Sequence, residues 1–359
     1  MEHQVDVAII GGGQAGLAVG WYLRRRTDLS FVILDDQHAP GGAWRHTWPS
    51  LRLFSPSSYS SLPGRLMPTT GADNPDAAHV IDYLTDYETR YDLPVRRPVH
   101  VSAVHRDGEG FRLETIAGTW SARAVVSATG TWSQPFWPTV PGRRTFTGTQ
   151  VHSAHYAGPA PYAGKRVVVV GGSNSGAQIA AEIAEDAELI WCLEGEPHWL
   201  PDEVDGRELF RVATERSRAL AAGQPDPGGV AALGNIVVVR PVKHARDAGL
   251  LRPIPMFDRF TTTGIAWPDG REREVDAVIW CTGFRPALRH LRPLHVREAD
   301  GTIRTDGTAS VQVPRLYLMG YGDWTGPGSA TLIGVGPTAK ATVAALKRQL
   351  ATPTPVPTR

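Results

Sequence analysis

The residues of this chain with the clearest chemical use are glycines. Gly11-Gly12-Gly13-Gln14-Ala15-Gly16 closes the apolar run Val5–Ile10, and Gly171-Gly172-Ser173-Asn174-Ser175-Gly176 closes Val167–Val170, 160 positions later. In a G-x-G-x-x-G turn between a strand and a helix, the first glycine permits the tight turn. The second lets backbone approach a pyrophosphate, and the third lets the helix pack closely on the strand. The helix N-terminus then offers unpaired N–H groups and partial positive charge to the phosphates. Asp35, 24 residues after Gly11, and Glu194, 23 after Gly171, each end the next apolar run. A carboxylate there accepts hydrogen bonds from ribose hydroxyls. One such turn holds one dinucleotide. Two in one chain predict two dinucleotides close together, as passing a hydride from nicotinamide to flavin requires.

The second turn carries Ser173 at the middle glycine position, which narrows the approach of phosphates. Glu194 would bond a 2′-hydroxyl and repel a 2′-phosphate, and the nearest following arginine, Arg207, is 13 residues on. These features favour NADH, or weak discrimination, over strict NADPH use. A solvated turn residue is the alternative for Glu194.

The elements that must position these turns follow from periodicity. Val5–Ile10, Gln14–Arg26 and Phe31–Leu34 read as strand, helix and strand, with Leu17, Trp21 and Leu23 turned inward. The triple arginine 24–26 suits a helix C-terminus. Residues 40–75 are irregular, and Ala77–Tyr91 has helical spacing (Val80, Tyr83, Leu84, Tyr87). Strands are expected at 101–104, 111–115 and 120–126. The proline-rich stretch Trp132–Gly164 reads as a linker. A second unit follows: strand 166–170, helix from about 176 to 186, strand 189–193. Further on, a helix is predicted at 208–222, strands at 236–239, 275–280 and 316–319, a helix at 338–350, and a loose tail at 352–359. The predicted fold class is α/β, with two Rossmann-like dinucleotide-binding domains, the second inserted into the first. The boundaries expected are 1–160 with 283–359 for the first domain and 161–282 for the second.

Within the linker, Phe146, Gly148, His152 and Tyr156 match F-x-G-x-x-x-H-x-x-x-Y without a gap. This resembles the fingerprint of the class B flavin-containing monooxygenases. Asp35 with Gly41-Gly42-Ala43-Trp44 is similar to that family's flavin-side E-x5-G-G-x-W element, with Asp for Glu. Ala128-Thr129-Gly130 and Cys281-Thr282-Gly283-Phe284 resemble its two interdomain crossovers. The likeness runs from Val5 to about Ala345, and the compact length and Leu51–Pro56 segment look nearest to the short bacterial members associated with arsenic-resistance operons.

The resemblance implies FAD on Gly11, Gly13, Gln14, Ala15, Gly16, Asp35, Asp36, Gly42, Ala43, Trp44, Ala128, Thr129, Gly130 and Asp323. It implies NADPH or NADH on Gly171, Ser173, Asn174, Ser175, Gly176, Glu194, Cys281, Thr282 and Gly283. The implied reaction is monooxygenation, through a flavin C4a-hydroperoxide, of a small molecule with a soft nucleophile (sulfur, nitrogen or trivalent arsenic). No acid–base pair is expected, because the chemistry is the cofactor's. Two departures stand out. Tyr156-Ala157 replaces the Trp-Pro or Trp-Asp of Baeyer–Villiger members, which argues against ketone insertion. Ser55, Ser57 and Ser58 stand where the N- and S-oxygenating members usually place an asparagine. An NAD(P)H oxidase releasing H2O2 therefore remains an alternative, and a flavin redox sensor without turnover a weaker one. His152 and Tyr156 read as structural residues. Trp44, Trp48, Trp132 and Trp137 are candidates for an apolar pocket or for interdomain packing. The pocket itself is expected between residues 44–70 and 200–260.

Composition sets the remaining bounds. With 37 basic and 36 acidic residues the formal charge is +1, which gives no electrostatic case for nucleic acid or an anionic membrane. No stretch is long and apolar enough for a membrane span, and no signal peptide is read at the N-terminus. Cys192 and Cys281, 89 residues apart, form neither a redox pair nor a metal-ligand spacing. They suit a reducing, cytoplasmic setting without a metal. A homodimer is compatible with all of this.

Overall fold

The computed structural model describes residues 2–69, 71, 74–202, 206–225 and 236–351. The predicted tail, 352–359, lies outside the described residues.

The chain opens with strand β1 (Glu2–Ile10), helix α1 (Gln14–Arg26) and strand β2 (Phe31–Leu34), as the periodicity predicts. Irregular chain leads to helix α2 (Ala77–Arg90), capped by Asp76 accepting from the His79 N–H at 2.9 Å. Then come β3 (Val95–Arg96), β4 (Val101–Asp107), β5 (Gly110–Thr115) and β6 (Gly118–Ser127). The linker carries β7 (Thr149–His152), followed by β8 (Arg166–Val170), α3 (Asn174–Asp186) and β9 (Glu188–Leu193). Helices α4 (Gly206–Ala221) and α5 (Arg240–Asp247) precede short strands β10 (Pro253–Pro255), β11 (Arg259–Phe260), β12 (Gly264–Ala266) and β13 (Glu272–Glu274). Strand β14 (Ala277–Trp280) is followed by β15 (Thr305–Asp306), β16 (Ala309–Ser310), β17 (Leu316–Leu318) and helix α6 (Val335–Ala351).

These strands form two main sheets. The first has the order β15-β16-β17-β6-β1-β2-β3, with the β4–β5 hairpin joined to β6. Its centre, β17-β6-β1-β2-β3, is parallel. The second is parallel throughout, in the order β10-β9-β8-β14-β7. Parallel sheets must be covered on both faces, and the alternation along each strand shows how. Val7 and Ile9 face a core shared with α1, α2 and α6, while Ala8 and Ile10 face one shared with the β4–β5 hairpin and residues 288–303. In the second sheet Val167 and Val169 face α3 and α5, while Val168 and Val170 face the β11–β12 region and Phe146.

Two expectations change. The segment 236–239 is no strand: Ile236 makes one bridge to Trp199, and Val239 caps α5, whose second residue is Pro241. Proline near a helix start supplies a preset φ and needs no N–H partner. Conversely β7, read as linker, pairs with β14 from Thr149↔Ala277 to His152↔Trp280. The second sheet therefore begins before residue 160. Helix α6 also starts three residues before the predicted 338, with Pro337 in its first turn.

Two chain segments pass between the sheets, and they run side by side. The Phe136 N–H donates to Gly283 O (2.9 Å), the Arg285 N–H to Gln134 O (2.8 Å) and the Ala287 N–H to Gly130 O (2.9 Å). Trp132 stacks on Phe284 across this ribbon at 4.8 Å.

Candidate functional site

The two glycine turns are built alike. Gly11 has φ +107°, and a Cβ there would lie 2.4 Å from Ala128 O; Gly171 has φ +130°, with Cys281 O at 2.3 Å. A Cβ on Gly16 would meet Gly11 O at 1.9 Å, and one on Gly176 would meet Gly171 O at 2.1 Å. Four of the glycines are thus required by the protein's own packing. Each turn is pressed against the crossover that leaves its own sheet, at the carboxyl ends of strands β1 and β6, or β8 and β14. In open α/β sheets that crevice, where strand order reverses, is where ligands bind.

The middle positions differ in kind. At Gly13 the nearest atom to an added Cβ is Gly42 Cα, 4.0 Å away, so nothing in the fold itself demands glycine. Gly13 caps α1 and Ser173 caps α3, both in extended backbone, and neither supplies a side-chain cap. Serine ordinarily caps well, yet its hydroxyl makes no such bond here. Both helix starts therefore keep N–H groups without a side-chain acceptor, which fits a diphosphate.

The other expected flavin-side residues divide into packed and open ones. Ala15 is buried beneath Gly320, whose added Cβ would touch it at 2.9 Å. Gln14 donates to Ala330 O (2.7 Å) and accepts from Trp44 Nε1 (3.1 Å), holding the Gly42–His46 turn against the start of α1. Gly42, at φ +53°, abuts Gly13; Ala43 is exposed. Gly130, Gly283 and Gly322 have positive φ and open space where a Cβ would be. Asp36 is exposed and accepts from Gln37 Nε2 at 2.7 Å. Asp35 is 3% exposed, and its Oδ2 takes the Arg97 Nε–H at 2.5 Å. Asp323 is exposed and paired with Arg216 of α4 at 2.7 Å.

Thr129 is tied into a buried chain that the sequence did not reveal. Its Oγ1–H donates to Ala287 O (2.8 Å), so it must accept from Tyr321 Oη (2.7 Å). Tyr321 Oη in turn accepts from Ser127 Oγ (2.5 Å) and from the Thr129 N–H (3.2 Å). Ser127 Oγ then accepts from His290 Nε2 at 3.0 Å. An acceptor-only carbonyl at one end fixes the direction of every donor. This chain joins the end of β6, both interdomain segments and the turn after β17. Burial pushes the His290 imidazole down to about 4 and raises the Tyr321 phenol above its ordinary value.

On the second side, Asn174 Oδ1 accepts from the Val237 N–H (2.8 Å), Ser175 is half-buried and Glu194 is exposed. Thr282 Oγ1 donates to Phe136 O at 2.5 Å. Cys192 and Cys281 are buried and unbridged, packed on opposite faces of the sheet. Burial pushes the Cys192 thiol up to about 12 and raises Cys281 as well.

The linker fingerprint residues Phe146, His152 and Tyr156 are buried. The Phe146 ring lies where a Gly148 Cβ would be, at 2.2 Å. His152, wholly buried, accepts the Ala154 N–H on Nδ1 (3.1 Å) and donates from Nε2 to Gly283 O (3.1 Å). With Nδ1 accepting, the ring is neutral with the proton on Nε2, and burial lowers its pKa. Tyr156 Oη donates to Glu182 of α3 at 3.0 Å. That carboxylate, its pKa raised by burial, also receives Trp48 Nε1 (3.3 Å) and Ser50 Oγ (2.6 Å). It thus fastens the irregular segment after β2 to the second sheet.

The four tryptophans form no common pocket. Trp44 packs on the first core, Trp48 on the α3 side of the second sheet, Trp137 beside His152, and Trp132 on Phe284. Of the expected pocket walls, residues 70, 203–205 and 226–235 lie outside the described residues. Helix α4 does pack on the turn Ser57–Tyr59 and reaches Asp323 through Arg216. Among the described residues, no helix is long and apolar enough to cross a membrane.

Comparison with known proteins places these features in context. Residues 8–220 match the family described as "Pyridine nucleotide-disulphide oxidoreductase". The CzcO-like oxidoreductase of Geobacillus kaustophilus is 31% identical over 95% of this chain and 97% of its own length. The oxidoreductase CzcO of Bacillus subtilis is 29% identical over 92% of this chain and 96% of its own. The flavin-containing monooxygenase from Stenotrophomonas maltophilia superposes with a TM-score of 0.89 at 48% identity, covering 97% of this chain and all of that one.

Proposed function

Because the chain belongs to the pyridine nucleotide-disulphide oxidoreductase family and, within it, to the flavin monooxygenases, we propose that it binds FAD on its first glycine turn and NAD(P)H on its second. The observation that carries this reading is the open middle position of the first turn, Gly13, between glycines that packing alone requires, with its counterpart Ser173 exposed between Gly171 and Gly176. A bound flavin would supply the redox chemistry: it accepts a hydride from nicotinamide and activates O2 so that one oxygen atom passes to a substrate. The substrate we infer is a small molecule with a soft nucleophilic centre: sulfur, nitrogen or trivalent arsenic.

The chain's own residues position and shield. Gly11–Gly16 and the α1 N-terminus take the flavin diphosphate. The turn Gly320–Asp323, held by Tyr321, would border a bound flavin from the side opposite the glycine turn. Ser173, Asn174 and the α3 N-terminus take the second diphosphate, and Glu194 faces the adenosine ribose. Helix α4, resting on Ser57–Tyr59, would screen the reacting edge of a bound flavin from water. Disulfide reduction is disfavoured, because the two cysteines of the chain are buried on opposite faces of one sheet.

The test is anaerobic reduction of the purified flavoprotein by NADH and by NADPH, then mixing with O2 with and without a thioether, an amine or arsenite. Oxygenated product forming in step with nucleotide consumption supports the reading. Stoichiometric H2O2 with every substrate would convert it into an oxidase, and absence of bound flavin would end it.

A further inference from the structure

Arg97 belongs to no motif, yet it lies at the heart of the first cradle. Its Nε–H donates to Asp35 Oδ2 at 2.5 Å, while Nη1 and Nη2 donate to the two Glu88 oxygens at 2.6 and 2.8 Å. All three side chains are largely buried: Arg97 is 10% exposed, Asp35 4% and Glu88 16%. The backbone is fastened at the same place. Asp35 N–H donates to Arg96 O (3.1 Å), and the Val99 N–H donates to Asp35 O (2.7 Å). The pair also touches the glycine turn, since a Cβ on Gly12 would lie 2.7 Å from Asp35 Oδ2 and 2.8 Å from Arg97 Nη2.

A carboxylate that is to accept from a ribose diol must hold one orientation, and free rotation of its side chain opposes this. Here a single guanidinium sits between two carboxylates. Its fork is locked by the bidentate bond to Glu88, which leaves Nε to hold Asp35. Burial alone would lower the arginine pKa, but bonds and charges from Glu88 and Asp35 hold it above the ordinary value.

We propose that Arg97, braced by Glu88, is a positioning residue for the adenosine half of the flavin dinucleotide: it fixes the orientation of the Asp35 carboxylate as an acceptor beside the glycine turn. This rests on the assignment of FAD to the first turn. The consequence is selective. Losing Arg97 should weaken the grip on adenosine while sparing the isoalloxazine and ribityl contacts.

The experiment uses full-length protein stripped of flavin and titrated with FAD and with FMN, which lacks the adenosine. Flavin fluorescence reports each Kd. The wild-type chain should prefer FAD strongly. R97M should reduce that preference about tenfold or more, the scale of one lost charge-assisted contact, with FMN affinity nearly unchanged. R97K, which keeps the charge without the fork, should fall between them, and it serves if R97M does not fold. Equal weakening of FAD and FMN would mark Arg97 as merely structural and overturn the proposal, as would an unchanged ratio or a wild-type chain that binds both equally. Failure of the wild-type chain to bind any flavin would instead sink the functional reading beneath it.

Discussion

His152 and Gly283 are 131 residues apart in the chain, and the imidazole Nε2 of one lies 3.1 Å from the carbonyl oxygen of the other. The ring thereby joins β7 to the return crossover, edge-on to Phe284 at 5.0 Å. His152→Leu would strip the buried Gly283 carbonyl of this donor. It should cost roughly 1–3 kcal/mol, read as a lower midpoint in urea unfolding of the flavin-free protein. An unchanged midpoint would remove this bond from the interdomain framework.

His290 makes a prediction in pH. Its folded pKa is pushed down to about 4, below the unfolded value of about 6.5. Between these values the unfolded chain binds the extra proton, so stability rises with pH there. The contribution is complete above about 6.5 and falls away as pH drops toward 4, amounting to roughly 3 kcal/mol. Urea unfolding at pH 7.5, 5.5 and 4.5 should show this slope, and His290→Gln should flatten it. An equal slope in the variant would assign the pH dependence to other groups.

Gly13 and Gly16 should separate binding from folding. An added Cβ at Gly16 lands 1.9 Å from Gly11 O, whereas at Gly13 it meets nothing closer than 4.0 Å. Gly16→Ala should therefore yield a destabilised or aggregating chain, because a contact that short forces the backbone apart. Gly13→Val should yield folded, colourless protein. Circular dichroism and the flavin-to-protein absorbance ratio decide the matter; a yellow Gly13→Val protein would contradict the diphosphate assignment.

Glu194, exposed at the end of β9, should set nucleotide choice. Glu194→Arg exchanges a repulsive carboxylate for a cation at the expected 2′-position, and should shift kcat/KM toward NADPH relative to NADH about tenfold. An unmoved ratio would take this residue out of the site.

What the sequence made legible was whatever is encoded locally. Both β-α-β units could be read because β-branched strands, glycines and helical spacing sit within thirty residues of each other. The linker fingerprint was recognisable as a pattern, and His152 and Tyr156 read as structural, but the contacts were not legible: that Gly148 makes room for the Phe146 ring is a fact of three dimensions. Arg97, Tyr321 and His290 were invisible because their partners Asp35, Thr129 and Ser127 are 62, 192 and 163 residues away. Strand β7 was missed for a related reason. Thr149-Gln150-Val151-His152 has little strand character alone, and it becomes one by joining β14.

The side-by-side passage of the two interdomain segments has a mechanical consequence. Two chains crossing separately would let the halves twist, slide and splay. Bonded edge to edge by backbone donors at 136, 285 and 287, they act as one flat flexure, compliant to folding across its width and stiff to shear within its plane. Each glycine turn abuts the root of that strip, at Ala128 and at Cys281, so both sites share it as a common support.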